Sequence, residues 1–444
     1  MILEQTRITG ETAAAIAASV EQRVHTGRFA RGDRLPTVRE LAASLRVSPA
    51  TVAAAYKLLH SRGLAAGKGR AGTRIAMRPP TPAATPVAIS PRIPEGAVDL
   101  ATGGPDPALL PPLESAVRAL DVRHRLYTTE PHLRALVTFA ADEFESDGIP
   151  SGSITVLSGA LDGVERVLRE HLRSGDGVAV EDPCFPGIAD LVKALALSVV
   201  PVPVDEDGPL PDGLAQALKT RCRAVVVTPR AQNPTGASIP PHRAGELRTV
   251  LRRFSEVVLV ENDYAGPIAG ATAVSLRESS RKYWAVVRST SKFLGPDLRV
   301  AVMAADDLTT ARVQGRQALG MRWVSLILQQ LTVALWSDPA NGRRVARAAE
   351  IYAQRRRALV EALAERGIAA WGRSGLNIWV PVSEEVPVVR GLADRGWVVA
   401  AGERFRIRSA PAIRVTISTL SPTDADRFAD DLGAVIGTSP STVA

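Results

Sequence analysis

Cysteine is nearly absent from this sequence: Cys184 and Cys222 are the two thiols in 444 residues. Two thiols supply neither a disulfide framework nor a metal-ligand spacing, and such scarcity fits a reducing cytoplasm. Long apolar runs are also missing. No stretch approaches the roughly 18 residues a membrane span requires, and no basic-then-apolar pattern marks a secretory signal, so neither is expected. Acidic residues are in deficit, and the deficit is local. Residues 1–78 hold 13 Lys+Arg against 5 Asp+Glu, whereas the remainder holds 41 of each. The whole net charge of +8 therefore sits on the first 78 residues. A basic module joined to a neutral one points to nucleic acid as the basic module's partner. What is present is a 45% apolar composition, enough for a sizeable core, in a chain long enough for two or three domains.

The basic module reads as three helices and a wing. Thr12 to Val24 is alanine-rich, with Ile16, Val20 and Val24 four apart. Thr37 can cap a second helix, Val38 to Leu45, with Glu40 completing a capping box. Ser48 can cap a third, with Pro49 at its first position and Val52, Tyr56 and Leu59 on its buried face. Two helices joined by a three-residue turn form a helix-turn-helix, whose second helix enters the major groove. Two short strands around Gly67 to Gly72 then form a basic, glycine-rich wing. Residues 79–96 contain six prolines, which forbids helix and favours an extended, semi-rigid linker.

Beyond the linker, strand-like and helix-like stretches alternate, as in an α/β fold with a mostly parallel sheet. The chemistry-bearing stretch is Arg288-Ser-Thr-Ser-Lys292-Phe-Leu-Gly-Pro-Asp-Leu-Arg299. A lysine amine turns nucleophilic toward aldehydes when burial or nearby cations lower its pKa. Ser289, Ser291 and Arg299 are groups that hold a phosphate beside such an amine. A phosphorylated aldehyde bound by lysine is pyridoxal phosphate. Ser158-Gly159-Ala160-Leu161 turns a strand into a helix and would present bare N–H groups to a phosphate. Ala224 to Val227 is a fully apolar strand that delivers Asn233-Pro-Thr-Gly236, and Leu259 to Tyr264 is the next.

The stretch GDRLPTVRELAASLRVSPATVAAAYKLLHSRGL resembles the winged helix of the GntR family, a likeness over about 65 residues, and residues 99–420 resemble the fold-type I aminotransferases. Together they resemble the MocR subfamily of GntR regulators, closest to members of the PtsJ type, which the family links to vitamin B6 salvage. The resemblance implies a GntR-type domain over 1–78, a linker over 79–96, a large pyridoxal phosphate-binding domain over 97–330 and a small C-terminal domain over 331–444. It implies Arg39 on the DNA backbone, Ser48 and Thr51 at the groove, and Lys68, Gly69 and Arg70 of the wing at the minor groove. Many relatives carry an arginine where this chain has Pro49. Lys292 would be the Schiff-base lysine. Gly159, Ala160, Leu161, Ser289, Ser291 and Arg299 would hold the phosphate, Phe185 the ring, Asn233 and Tyr264 the 3′-oxygen, and Arg414 a ligand carboxylate. Tyr127 matches the tyrosine that reaches a partner subunit's phosphate, in a segment shorter than the family's. Relatives usually read Glu-Asp-Asp-Tyr where this chain has Glu261-Asn262-Asp263-Tyr264. Either Asn262 or Asp263 then faces the pyridine nitrogen.

The function implied is a homodimeric, cytoplasmic transcriptional regulator that binds double-stranded operator DNA and senses pyridoxal 5′-phosphate or an amine, with no membrane partner and no metal. A working aminotransferase with an appended DNA-binding domain is the alternative, and a scaffold that binds no cofactor is a third.

Overall fold

The computed structural model describes residues 8–25, 28–30, 32–61, 64–67, 72–75, 93–220 and 222–438. The chain divides into an N-terminal unit and a larger second unit. Among the described residues no helix is long and apolar enough to cross a membrane.

In the N-terminal unit, helices α1 (Ala13–His25) and α2 (Val38–Leu45) pack on α3 (Pro49–Ser61). Strands β1 (Ala65–Ala66) and β2 (Arg74–Ile75) form an antiparallel hairpin stem. The core is Ile16, Val20, Leu41, Val52, Ala55, Tyr56, Leu59 and Ile75, the apolar faces that helical spacing sets. The capping box forms: Thr37 Oγ1 accepts from Glu40 N at 3.2 Å, and Glu40 Oε2 accepts from Thr37 N at 2.8 Å. Tyr56 donates from its hydroxyl to Pro36 O at 2.6 Å, which ties α3 to the turn before α2. The wing residues Lys68, Gly69 and Arg70 and linker residues 79–92 lie outside the described residues.

The second unit is built on an eight-stranded sheet and a four-stranded sheet. The large sheet draws on β4 (Ile154–Leu157), β5 (Gly177–Asp182), β6 (Ser198–Asp205), β7 (Gly208–Pro209), β8 (Cys222–Val227), β9 (Val258–Asp263), β10 (Trp284–Ser289) and β11 (Ala301–Ala305). Its order is β4-β11-β10-β9-β8-β5-β6-β7. Strands β5, β8, β9 and β10 run parallel, while β11 is antiparallel to both of its neighbours. Every residue of β4, β5, β9, β10 and β11 is buried, as expected for strands covered on both faces. Helix α4 (Glu114–Arg118) precedes α5 (Arg134–Ser146), and α6 (Ala160–His171) follows β4 directly.

The small sheet has the order β12 (Asn377–Pro381), β14 (Ala412–Thr416), β13 (Trp397–Ala401), β3 (Val98–Leu100). The small sheet is therefore not built from C-terminal residues alone. Residues 98–100, expected to open the large domain, pair in parallel with β13, Val98 opposite Trp397. This pairing carries the segment that follows, residues 101–106, to the junction between the two sheets.

Candidate ligand cavity and DNA-facing helix

On the N-terminal unit, Arg39 is exposed on α2 and Ser48 is exposed at the start of α3. Ser48 Oγ lies 2.8 Å from Thr51 Oγ1 and accepts from Thr51 N at 3.1 Å. These two hydroxyls close the helix N-terminus and stand at the end of α3 that a helix-turn-helix presents to DNA.

The second unit encloses a cavity of about 250 Å³ where strand ends of the large sheet meet residues 102–103 and β14. Its large-sheet side chains arrive from the C-terminal ends of strands, the usual position for ligands in a parallel sheet. Ser289 ends β10, and the turn after it brings Ser291 and Lys292. The Ser289 and Ser291 hydroxyls are 2.9 Å apart. Lys292 Nζ donates to Gly103 O at 2.8 Å. Burial, reinforced by the Arg414 guanidinium, lowers the amine to about 8, so a useful fraction is the neutral nucleophile at physiological pH.

One side of the cavity is made where β4 turns into α6. Gly159 is the N-cap, at φ 113°, and no side chain caps the helix, so its first N–H groups are open to a ligand. Arg299 leans over this turn and donates from Nη2 to Ser158 O at 3.3 Å. A Cβ at residue 159 would lie 2.8 Å from that nitrogen. Ala160 and Leu161 line the cavity beside it. Opposite, Arg414 is buried on β14 at 4% exposure. Its Nη1 donates to Asn233 Oδ1 at 3.2 Å, Nη2 donates to Ala101 O, and Nε is buried without a partner. Its guanidinium sits 4.7 Å from the centre of the Phe405 ring. Phe185 supplies an aromatic wall.

The cavity residues fit pyridoxal phosphate. A lysine, two arginines, two serine hydroxyls and an aromatic ring line one cavity with the start of an uncapped helix, and Asn262 Oδ1 and Arg414 Nε are buried without partners. Two family descriptions match the chain: "Bacterial regulatory proteins, gntR family" over residues 12–75, and "Aminotransferase class I and II" over residues 99–432. The vitamin B6 salvage pathway transcriptional repressor PtsJ of Salmonella typhimurium is 39% identical over 96% of this chain and 98% of its own length. The chain belongs to the MocR subfamily of GntR regulators. The HTH-type pyridoxine biosynthesis transcriptional regulator PdxR of Corynebacterium glutamicum is 27% identical over 79% of this chain and 78% of its own length. In fold, the second unit is similar to an archaeal alanine:glyoxylate aminotransferase, with TM-score 0.70, 19% identity, and coverage of 77% of this chain and 91% of that one. The α-aminoadipate aminotransferase LysN of Thermus thermophilus gives TM-score 0.67 and 22% identity over 78% of this chain and 93% of that one. An aminotransferase class I and II fold implies pyridoxal phosphate binding.

For this MocR-type chain the structure brings Ala160, Leu161, Phe185, Asn233, Asn262, Tyr264, Ser289, Ser291, Lys292, Arg299 and Arg414 around one cavity. Asp263 is not among them. It points to the other side of β9, where Arg230 donates to Oδ1 and Oδ2 at 2.9 and 2.8 Å and Arg288 to Oδ2 at 2.7 Å. The reason is the sheet register. Asp263 stands opposite Arg288 on β10, and Asn262 stands opposite Val287, whose side chain abuts Gly163 of α6. Successive residues of a strand face opposite sides, so Asn262 faces the cavity and Asp263 cannot. Burial alone would raise the Asp263 carboxyl, but Arg288 and Arg230 outweigh it and hold it well below the usual range.

Tyr264 lines the cavity, yet its hydroxyl proton is given to Ala231 O at 2.6 Å, which leaves only oxygen lone pairs for a ligand. Tyr127 is 79% exposed, 6.0 Å from Trp323 in an edge-on contact, and does not line the cavity. Thr102, Gly103 and Thr228 line the cavity as well, and none of the three is among the site residues expected from the sequence. Gly103 sits in the Gly103-Gly-Pro-Asp106 stretch, and Thr228 is the first residue after the apolar strand, so position at a strand's C-terminal end was the available signal.

Proposed function

We propose that this protein is a transcriptional regulator whose occupancy of operator DNA is set by pyridoxal phosphate, or by an amine meeting it, in the Lys292 cavity. The observation that carries this is one chain holding both a GntR-type helix-turn-helix and a cavity built around a buried, pKa-lowered lysine. When bound, the cofactor supplies an aldehyde that a lysine amine can attack. Lys292 would hold it covalently. Gly159, Ala160, Ser289, Ser291 and Arg299 would hold its phosphate, Asn233 its 3′-oxygen side, and Arg414 a carboxylate on an amine ligand. A ligand can shift a conformational equilibrium only through a difference in affinity between two states, so the states must differ at this cavity. Tyr127, exposed beside Leu126 at 70% and Val122 at 72%, supports a second copy of the chain as the cover for that surface. A two-fold dimer would read two half-sites.

The similarity to PtsJ and PdxR, named for vitamin B6 salvage and pyridoxine biosynthesis, supports vitamin B6 metabolism as what this protein controls. A working aminotransferase is the second reading, favoured by Lys292 and Arg414 sharing one cavity. The purified protein decides between them. The regulator should gain a visible absorption band with pyridoxal phosphate and should change its DNA affinity on loading, with no sustained production of keto acid from amino acids. Multiple turnovers with an ordinary amino acid contradict it.

A further inference from the structure

The resemblance to the aminotransferases implies that residue 262 or 263 faces the cofactor's ring nitrogen, and it is Asn262 that lines the cavity. Asn262 is 5% exposed, lines the cavity, and its Oδ1 is buried without a hydrogen-bond partner. Oδ1 is closed off from the cavity, so the amide NH2 is the end of Asn262 that a ligand in the cavity would meet. The charged groups around that cavity are all of one sign. Lys292, Arg299 and Arg414 line it, and among the described residues no carboxylate does. Tyr264 is held neutral by burial, which raises its hydroxyl. Asp263, next in sequence, cannot substitute. Both of its oxygens are engaged by Arg230 and Arg288, and Gly266 N donates to Oδ1 as well, at 3.3 Å. Glu181 lies behind the wall, taking hydrogen bonds from Thr228 N at 3.0 Å and Gln232 Nε2 at 3.2 Å.

Resting on the reading of this cavity as a pyridoxal phosphate site, we propose that Asn262 specifies the cofactor with its ring nitrogen unprotonated. A cationic ring nitrogen needs a nearby anion, and like charges disfavour it. An amide supplies no charge, but its NH2 can donate to the lone pair of a neutral ring nitrogen. Asn262 is thus a residue that selects a charge state of the ligand. The consequence is functional. A protonated ring is the electron sink that lets a bound amine lose its α-proton, and a neutral ring is a poor one. The cavity therefore binds an amine without consuming it.

The test uses the full-length chain loaded with pyridoxal phosphate carrying 15N in the ring. At neutral pH the 15N chemical shift should be that of an unprotonated pyridine, and Asn262→Asp should move it to the pyridinium position. Ring-N-methyl pyridoxal phosphate, a fixed cation, should bind the natural protein about tenfold more weakly than pyridoxal phosphate, the equivalent of one buried group left unpaired, and the gap should narrow in Asn262→Asp. A pyridinium shift in the natural protein overturns the inference while leaving the cavity reading intact. Failure to bind pyridoxal phosphate at all removes both. Should Asn262→Asp not fold, the shift and the N-methyl comparison on the natural protein still decide.

Discussion

Asn262 and Asp263 are neighbours on one strand with opposite surroundings, and the contrast sets two expectations at the scale of single residues. Asp263 neutralises two buried guanidiniums, Arg230 at 7% and Arg288 at 2% exposure. Removing one member of such a set leaves uncompensated buried charge, which costs about 3–5 kcal/mol. Asp263→Ala should lower the unfolding free energy of the second unit by that amount in urea titration, far more than an exposed Asp→Ala. The second expectation concerns Glu181 and Glu261, both pushed up to about 7, by burial first and against the hydrogen bonds they accept. A carboxyl whose folded pKa is raised binds more protons folded than unfolded, so its stabilisation is complete below the ordinary glutamate range and is lost as pH rises toward 7. Melting temperature should therefore fall between about pH 4.5 and pH 7 on account of these two groups. Glu181→Gln with Glu261→Gln should flatten that slope, and a slope unchanged in the double variant contradicts the assignment. The choice between 262 and 263 was not legible in the sequence. Strand β9 is buried on both faces, so it offers no alternation of polar and apolar residues from which to read register. Arg288, opposite Asp263 on the neighbouring strand, decides it, and that pairing is tertiary.

At the scale of elements, local chemistry was legible where it is self-contained. Thr37 with Glu40, and Ser48 with Pro49, start their helices as expected because caps act within one turn. Thr37→Ala should cost the N-terminal unit about 1 kcal/mol, measured as a lower melting midpoint of that unit. The turn between β4 and α6 is the corresponding feature of the second unit. Gly159 holds φ 113°, a conformation L side chains rarely adopt, and a Cβ there would press on Arg299. Gly159→Ala should weaken pyridoxal phosphate binding by about tenfold or more, since the strain of a disfavoured backbone angle is of order 1–3 kcal/mol. A titration of the visible band measures it, and unchanged affinity would remove this turn from the phosphate site. What the sequence did not disclose was the pairing of residues 98–100 with β13. A three-residue strand joined to a partner far along the chain carries no local signal, whereas the same pairing places Gly103 against Lys292 and Ala101 against Arg414.

For the whole molecule, the distribution of charge and the order of units carry the argument for function. The excess positive charge lies in residues 1–78, and each phosphate it neutralises releases counterions, so DNA affinity should fall steeply and log-linearly with salt. Arg39→Glu should weaken binding to all sequences alike, whereas changes at Ser48 or Thr51 should alter sequence preference. Lys292 is proposed to connect the ligand to DNA occupancy. The most direct measurement of that link is a titration of pyridoxal phosphate into the full-length protein on its operator, followed by fluorescence anisotropy of labelled DNA, beside the same titration of Lys292→Ala. The expected result is a dose-dependent change in DNA affinity for the natural protein and none for Lys292→Ala, with the two proteins binding DNA equally before any pyridoxal phosphate is added. An equal response from Lys292→Ala, or no response from either, would contradict it.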